Sequence, residues 1–248
     1  MTPPRVVAIT GAGGMVGTVV VRGLRDRYDL RPLHRDDADI TDLEALERVF
    51  ADVDAVVHLA ATADVDSPWD AVLSANVIGV YNVYEAARRS GVDRVVFASS
   101  NHTVGMYQWD DDRFVDPSRP EIVPADALFR PDSLYGASKV WGEALGRYYV
   151  ERLEALSVVC VRIGWVTEDD KPPAALHADD LDEQRVRDRG PGMWLSHRDC
   201  VSLVDAALRA DVSFATVFGV SDNRGRWLSL EEGRDLLGWE PRDGFAGS

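Results

Sequence analysis

Two short motifs in this chain combine residue types and spacings that can carry chemistry, and the first is a glycine-rich turn. Residues 10–17 read TGAGGMVG and directly follow an apolar run, Arg5–Thr10. A turn of this kind brings backbone N–H groups and a helix N-terminus close to a dinucleotide pyrophosphate, whereas the alternative is a turn that binds nothing. Its place after the first strand of an alternating α/β chain favours the dinucleotide site. The residues assigned to this site are Gly11, Gly14, Met15, Val16 and Gly17.

The second motif places Tyr135 and Lys139 four residues apart, on one face of a predicted helix. A free tyrosine has a pKa of about 10, which is too high for a base at neutral pH. A neighbouring ammonium and a positive nicotinamide both stabilise the phenolate. The pair therefore predicts that a proton is moved beside a nicotinamide. Ser100 follows the fourth predicted strand, where it is either a turn residue or, as we expect beside Tyr135, a catalytic hydroxyl.

The residues at the end of the second predicted strand decide whether the chain prefers NAD or NADP. A carboxylate at the strand end binds the ribose 2′-hydroxyl, whereas a basic residue accepts a 2′-phosphate. His34 occupies this position and Arg35 follows it, which favours NADP, although the two aspartates that come next could bind a ribose hydroxyl. Asp39 and Ile40 precede the next helix and are predicted to hold and flank the adenine.

Apolar runs alternate with amphipathic stretches, which is typical of a doubly wound parallel sheet. Strands are predicted at Arg5–Thr10, Asp29–His34, Ala55–Ala60, Arg94–Ser99 and Leu156–Ile163. Helices are predicted at residues 14–26, from Thr41 with a capping box, at residues 69–90 and at Pro131–Glu151. We expect an α/β Rossmann fold in residues 1–165. Residues 166–248 are expected to form a small C-terminal substrate-binding portion, interleaved with that fold and not an independent domain.

Two long charged segments interrupt this alternation, residues 105–131 and 167–192, and both contain prolines. Long loops inside a compact domain are often functional. Both segments follow strands at the sheet edge where ligands bind, so we predict that they form walls or lids of a substrate site.

The composition excludes several classes of function. The chain has 248 residues and a net charge of −15, so no nucleic-acid partner is expected. Cys160 and Cys200 are the two cysteines, and neither has the neighbours of a metal site, so no metal is predicted. Cys160 lies in an apolar strand-like run and is predicted to be a buried reduced thiol. Because no signal peptide or membrane-spanning run is evident, a cytoplasmic protein is predicted.

Together the motifs resemble the extended short-chain dehydrogenase/reductase family. The resemblance rests on the glycine-rich turn, His58-Leu-Ala-Ala61, Asn76 on the long helix and Tyr135-x-x-x-Lys139. It implies a Rossmann fold, a Ser-Tyr-Lys catalytic centre and homodimers built on the long helices. Further cofactor-binding residues assigned in this frame are Leu59, Ala60, Ala61, Asn76 and Ile163.

A narrower resemblance is to uronate dehydrogenases and to haloarchaeal NAD-dependent glucose-6-phosphate dehydrogenases of that family. The matching segments are Phe97–Gly105, Arg130–Lys139, Val161–Gly164 and Trp194–Cys200. Both groups oxidise a pyranose hemiacetal at C1 to a lactone. The resemblance implies that Ser100 is catalytic, that Asn101 and His102 face the sugar and that Trp194 lies in the pocket. These relatives have an aspartate where this chain has His34, so their preference for NAD is not expected to carry over to this chain.

Arg162 is the predicted contact for an anionic group of the sugar, such as a phosphate or carboxylate. The alternative is a buried structural ion pair, as is common for an arginine in an apolar strand. The substrate is therefore expected to be a small and anionic sugar. Glucose-6-phosphate, a uronate, a sulfonated sugar and a neutral aldose all remain open.

Two other functions compete with a sugar dehydrogenase. A nucleotide-sugar epimerase or dehydratase needs a larger C-terminal domain than this chain can form, since only about 85 residues follow the fifth predicted strand. A dehydratase also needs an Asp-Glu pair where this chain has Asn101 and His102. A cofactor-binding regulator without turnover typically lacks the tyrosine or the lysine, and both are present here.

Overall fold

The computed structural model describes residues 4–110, 120–173 and 190–246 and contains one parallel sheet. Its six strands follow the order β2-β1-β3-β4-β5-β6. The strands are β1 (Val6–Thr10), β2 (Asp29–Leu33), β3 (Ala55–His58), β4 (Arg94–Ser100), β5 (Ser157–Ile163) and β6 (Phe214–Gly219). Every pairing is parallel, from the β1–β2 pair to the β5–β6 pair. The predicted α/β Rossmann fold is confirmed.

Helices cover both faces of the sheet, which explains why the central strands are apolar without alternation. They are α1 (Met15–Leu24), α2 (Leu43–Val49), α3 (Trp69–Val72), α4 (Gly79–Arg89), α5 (Leu134–Glu151), α6 (His197–Arg209) and α7 (Glu231–Leu237). Side chains of α1 and α6 join one buried apolar cluster, and those of α2, α4 and α5 join the other. The sheet between these layers fixes the carboxyl ends of β1, β3, β4 and β5 along one edge, where ligands bind in such folds.

The sixth strand was not among the predicted elements. β6 pairs with β5 from Val158↔Phe214 to Ile163↔Gly219, and α6 packs beside α1. Residues after 165 thus extend the sheet and one helix layer, because the short run FATVFG and the amphipathic helix before it repeat the β/α alternation. The sheet therefore does not end at residue 165. The role of residues 166–248 in substrate binding stays a prediction.

Two predicted helices differ from the structure for local reasons, one at its start and one in its interior. The helix predicted from Thr41 is capped by Asp42, whose side chain accepts a hydrogen bond from the backbone of Ala45. The N–H and hydroxyl groups of Thr41 both donate to Asp39 instead, at 2.9 and 2.8 Å. The helix predicted at 69–90 contains a π-helical turn, Leu73–Ile78, between α3 and α4.

Cys160 is buried and free, as predicted, and Cys200 is buried and free as well. Of the predicted walls or lids, residues 111–119 and 174–189 lie outside the described residues. The first of these segments follows on from two short 3₁₀ turns within Asn101–Trp109, which are separated by the non-helical backbone of Val104. In the parts of the chain that are described, no helix has the length and apolarity needed to cross a membrane.

Candidate active site

Two cavities adjoin at the carboxyl edge of the sheet, of about 830 and 540 Å³. Leu59 and Ala61 line both, so the cavities form one continuous cleft. The smaller is lined by Gly11, Gly14, His34, Arg35, Asp39, Ile40, Leu59, Ala60 and Ala61. The larger is lined by Met15, Val16, Leu59, Ala61, Ser100, Asn101, His102, Tyr135, Lys139 and Ile163. The fold therefore brings most of the predicted cofactor, catalytic and substrate residues together.

The glycines of the first turn serve two different purposes. Gly11 has a φ of +69°, and a Cβ there would lie 2.6 Å from the backbone nitrogen of Ala60. A Cβ on Gly17 would overlap the carbonyl oxygen of Gly11, so both glycines are required by the turn itself. Gly14 is exposed, has a φ of −75°, and its Cβ would meet only the Gly11 oxygen, at 3.4 Å. No protein atom therefore fills the space beside Gly14, which opens into the smaller cavity.

Helix α1 begins directly after Gly14 and no side chain caps its first N–H groups. Unpaired N–H groups at a helix start attract phosphate, because they donate hydrogen bonds along the positive end of the helix dipole. The residues present thus fit a dinucleotide, with its pyrophosphate at the start of α1. Gly17 belongs to this site only through the turn geometry, since it does not line either cavity.

We expect Gly14→Ala to weaken dinucleotide binding by about tenfold or more, because a methyl group would occupy the ligand's place. The midpoint of thermal unfolding should hardly change, since alanine tolerates this backbone conformation. Gly17→Ala is the matched control, and it should instead lower the unfolding midpoint. Calorimetric titration and thermal scans measure both effects, and unchanged affinity in Gly14→Ala would contradict the assignment.

Ser100, Tyr135 and Lys139 meet at the wall of the larger cavity. Ser100 ends β4, and Tyr135 lies in the first turn of α5 because the Ser133 hydroxyl caps that helix at the N–H of Gly136, at 3.0 Å. Lys139 follows one turn later, and its Nζ donates to the carbonyl oxygen of Ala98 at 2.8 Å. The Lys139 ammonium lies 5.6 Å from the centre of the Tyr135 ring. The predicted catalytic residues therefore occupy one small region.

Burial dominates the electrostatics of these groups. It raises the pKa of Tyr135, while a hydrogen bond with Ser100 lowers it and the charge of Asp132 raises it. It lowers the pKa of Lys139 to about 7, an effect that the nearby Glu143 carboxylate opposes. Because burial penalises each charge alone, a phenolate on Tyr135 and an ammonium on Lys139 stabilise each other when they form together. The arrangement suits a proton transfer to Tyr135 that the lysine assists.

Arg162 does not reach the cavity, so its predicted role as an anion contact is wrong. Its side chain is 2% exposed and forms a two-pronged ion pair with Glu143, with both N–O distances at 2.8 Å. Its remaining terminal nitrogen donates to the carbonyl oxygen of Ala125 at 3.0 Å. Glu143 also accepts a hydrogen bond from Ser99, which explains why Ser100 and not Ser99 faces Tyr135. The alternative weighed from the sequence, a buried structural ion pair, is what the structure contains.

Two further assignments are corrected by burial. Trp194 is 7% exposed and lines neither cavity, because it pairs with Trp165 in a short parallel bridge and leaves Met193 to face the cavity. Asn76 is fully buried in the π-helical turn, and its amide oxygen accepts from the N–H of Thr62 at 2.8 Å. Its amide nitrogen donates to the Thr62 carbonyl and to Ser138, at 2.9 and 3.0 Å. Asn76 thus holds the segment after β3 against α5 and lines neither cavity.

Residues that the sequence interpretation missed also line the larger cavity. They include Gln108, Asp132, Trp165 and Met193. Asp132 is the most notable, because its carboxylate lies 2.8 Å from Nδ1 of His102. It stands in the segment Arg130–Lys139 that supported the family resemblance, but nothing in the sequence indicated its partner.

Known proteins share this architecture along nearly the whole chain. A model described as the NAD dependent epimerase/dehydratase family matches residues 7–167. An L-arabinose 1-dehydrogenase (NAD(P)(+)) from Haloferax volcanii is 40% identical, with 97% of each chain covered. An NAD-dependent glucose-6-phosphate dehydrogenase from the same organism is 38% identical over 97% of this chain and 94% of its own. The crystal structure of uronate dehydrogenase from Agrobacterium tumefaciens superimposes with a TM-score of 0.78 at 32% identity, covering 97% of this chain and 85% of that one.

Proposed function

The chain belongs to the NAD dependent epimerase/dehydratase family and is an NAD(P)-dependent sugar dehydrogenase, and from this premise we propose that it oxidises the C1 hydroxyl of an aldopyranose to the lactone. The observation that carries the proposal is the position of Ser100, Tyr135 and Lys139, at the wall of a sugar-sized cavity that continues into the dinucleotide cleft. The relatives named above are sugar dehydrogenases.

Each residue of the site has a separate task. Tyr135 removes the proton of the C1 hydroxyl, and Ser100 donates a hydrogen bond to the same oxygen as it becomes a carbonyl. Lys139 holds the ribose of the dinucleotide and stabilises the phenolate of Tyr135. The nicotinamide, when bound, accepts the hydride of C1. The smaller cavity holds the adenosine half, and the start of α1 holds the pyrophosphate.

We propose a neutral aldose as substrate, in place of the anionic sugar expected from the sequence. Arg162, on which the anionic expectation rested, is neutralised by Glu143 and lies outside the cavity. Among the described residues that line the larger cavity, Lys139 is the one lysine or arginine, and Asp132 adds a carboxylate. Hydroxyl, amide and imidazole groups of Ser100, Asn101 and His102 suit sugar hydroxyls.

A panel of sugars tests this proposal through the absorbance of reduced nicotinamide. Neutral aldopentoses and aldohexoses, hexose phosphates and hexuronates are each supplied with NAD⁺ and with NADP⁺. The highest kcat/KM is expected for a neutral aldose. Faster oxidation of a hexose phosphate or a hexuronate would contradict the proposal of a neutral substrate but not that of oxidation at C1. No turnover with any sugar would contradict both proposals.

We propose that NADP is used at least as well as NAD. Arg35 lines the adenosine cavity, and its side chain is 87% exposed. Its Nε atom donates to Asp39 at 2.9 Å, which holds the guanidinium beside the ribose position while its terminal nitrogens stay available. Arg35→Ala is therefore expected to raise KM for NADP⁺ by about tenfold, since a hydrogen bond to a charged group contributes about 1.5–3 kcal/mol. KM for NAD⁺ should change by less than about twofold, and equal changes for both cofactors would contradict this role.

We propose a homodimer through the long helices. Large apolar side chains lie exposed on this side, with Trp69, Ile78, Tyr81 and Trp141 between 42% and 52% exposed. Clusters of exposed apolar side chains are typical of protein interfaces. We expect light scattering to give a dimer mass and Tyr81→Arg to give a monomer, because a charge would be buried without a partner. Leu128→Arg, at an 80% exposed leucine elsewhere, is the control that should stay dimeric, and a monomeric parent protein would contradict the proposal.

A further inference from the structure

His102 and Asp132 form a close pair on the wall of the larger cavity. Nδ1 of His102 lies 2.9 Å from one carboxylate oxygen of Asp132 and 2.8 Å from the other. The Asp132 side chain is 11% exposed and that of His102 is 31% exposed, and both residues line the cavity. The pair is therefore partly shielded from water and faces the place of the sugar.

The surroundings hold Asp132 in this position. A Cβ on Gly105 would overlap the Asp132 carboxylate, so a residue without a side chain makes room for it. The hydroxyl of Ser133, the cap of α5, lies 3.1 Å from one Asp132 oxygen and can donate to it. Because Ser133 fixes the start of the helix that carries Tyr135, Asp132 is built into the same rigid frame as the base.

The pairing defines which ring nitrogen of His102 carries a proton. A carboxylate accepts hydrogen bonds, so Nδ1 must be the protonated nitrogen that donates to Asp132. The other ring nitrogen, Nε2, has no hydrogen-bond partner among the residues that the structure describes. In neutral imidazole it keeps a lone pair. The His102 ring meets the Tyr135 ring edge-on, with 5.7 Å between centres.

We propose that Asp132 is a positioning residue, which holds His102 with the proton on Nδ1 so that Nε2 accepts a hydrogen bond from the sugar hydroxyl next to C1. The proximity of His102 to Tyr135 places this hydroxyl beside the one that is oxidised. The inference rests on the proposed function and adds to it a means of selecting a 2-hydroxy sugar. A site built to bind a hydroxyl discriminates strongly against an analogue without it, because its polar group is then left unpaired.

Asp132→Asn is the informative variant, because it keeps the shape of the side chain. An amide can donate to Nδ1, which moves the ring proton to Nε2 and turns the acceptor into a donor. We expect kcat/KM for the preferred aldose to fall by about 10- to 100-fold, the range found when the partner that orients a functional histidine is replaced. For the 2-deoxy analogue the fall should be below about threefold, since its hydroxyl is missing in both proteins.

His102→Asn and the double variant complete the test. Asparagine keeps a polar group that reaches Asp132 but lacks one at the place of Nε2, so His102→Asn should lose the preference for the 2-hydroxy sugar. Adding Asp132→Asn to it should cost little more, because Asp132 acts through His102. Glu151→Gln is the control, since Glu151 also pairs with a cation, Arg147, and lies at the far end of α5, outside the cavity. Its kcat/KM should match that of the parent protein.

A direct charge effect of Asp132 on Tyr135 would behave differently. The Asp132 carboxylate raises the pKa of Tyr135, so its removal alone would move the pH–rate profile to lower pH and would affect both sugars equally. That pattern, or additive losses in the double variant, would overturn the proposal.

Nitrogen NMR of labelled His102 tests the positioning without any turnover. The parent protein should show a protonated Nδ1 at neutral pH, and Asp132→Asn should move the proton to Nε2. An unchanged proton position overturns the role of Asp132. If the proton moves as expected but no sugar is oxidised, the proposed function is wrong, and so is the hydroxyl-binding role of His102. The effect of Asp132 on the His102 ring would still be established.

Discussion

Tyr135→Phe is expected to lower kcat for the preferred sugar by about 10³-fold, within the range of about 10² to 10⁴ that a positioned general base contributes. The phenol hydrogen-bonds with Ser100, and its ring centre lies 5.6 Å from the Lys139 ammonium. Phenylalanine fills the same space, so the dissociation constant of the dinucleotide should stay within about twofold. Stopped-flow absorbance of reduced nicotinamide gives kcat, and fluorescence titration gives the affinity.

Tyr148→Phe is the matched control for this variant. Tyr148 lies on the same helix, and its substitution removes the same hydroxyl. Its side chain is 49% exposed and lies several helical turns away from the cavity. Its kcat should equal that of the parent protein. A Tyr135→Phe protein that turned over at the parent rate would show that another group removes the proton.

Lys139→Met is expected to lower kcat by about 10²- to 10³-fold and, unusually for a buried position, to stabilise the cofactor-free protein at pH 7. The Lys139 side chain is buried, and burial lowers its pKa to about 7. An unfolded lysine has a pKa of about 10.4, so between these values the unfolded chain binds more protons than the folded one. Burial of the Lys139 ammonium therefore destabilises the folded protein at pH 7.

The pH dependence of this effect follows from linkage. The destabilisation by Lys139 is fully present below pH 7 and is lost as the pH rises from 7 towards 10. The stability advantage of Lys139→Met should therefore shrink by up to about 1.4 kcal/mol per pH unit in that window. Urea unfolding of both proteins at pH 7, 8 and 9 measures it. A constant difference across these pH values would show that Lys139 is not desolvated.

The sequence predicted those parts of the fold and site that depend on local patterns. Apolar strands, the glycine-rich turn and the spacing of Tyr135 and Lys139 are properties of short segments, and the structure places them as expected. Parallel strands align their carboxyl ends, so the position of Ser100 beside Tyr135, at the end of β4, could be predicted from the sequence alone.

Pairings between distant segments could not be predicted in the same way. Arg162 and Glu143 lie on different elements, and both a ligand contact and a buried ion pair satisfy the sequence. Asp132 and His102 are thirty residues apart, and their contact depends on the close packing of Asp132 against Gly105, which no local pattern indicates. Trp194 faces inward because its strand-like bridge to Trp165 fixes its direction, and its sequence neighbour Met193 faces the cavity instead.

The transfer of deuterium from C1 of a labelled aldose tests the central claim most directly. The preferred sugar carrying deuterium at C1 is oxidised with the preferred dinucleotide, and the products are separated and weighed by mass spectrometry. Oxidation at C1 predicts one deuterium in the reduced nicotinamide and none at C1 of the lactone. Deuterium that stays on C1 of the sugar product would contradict it, because the hydride would then have come from another carbon, as in a nucleotide-sugar epimerase.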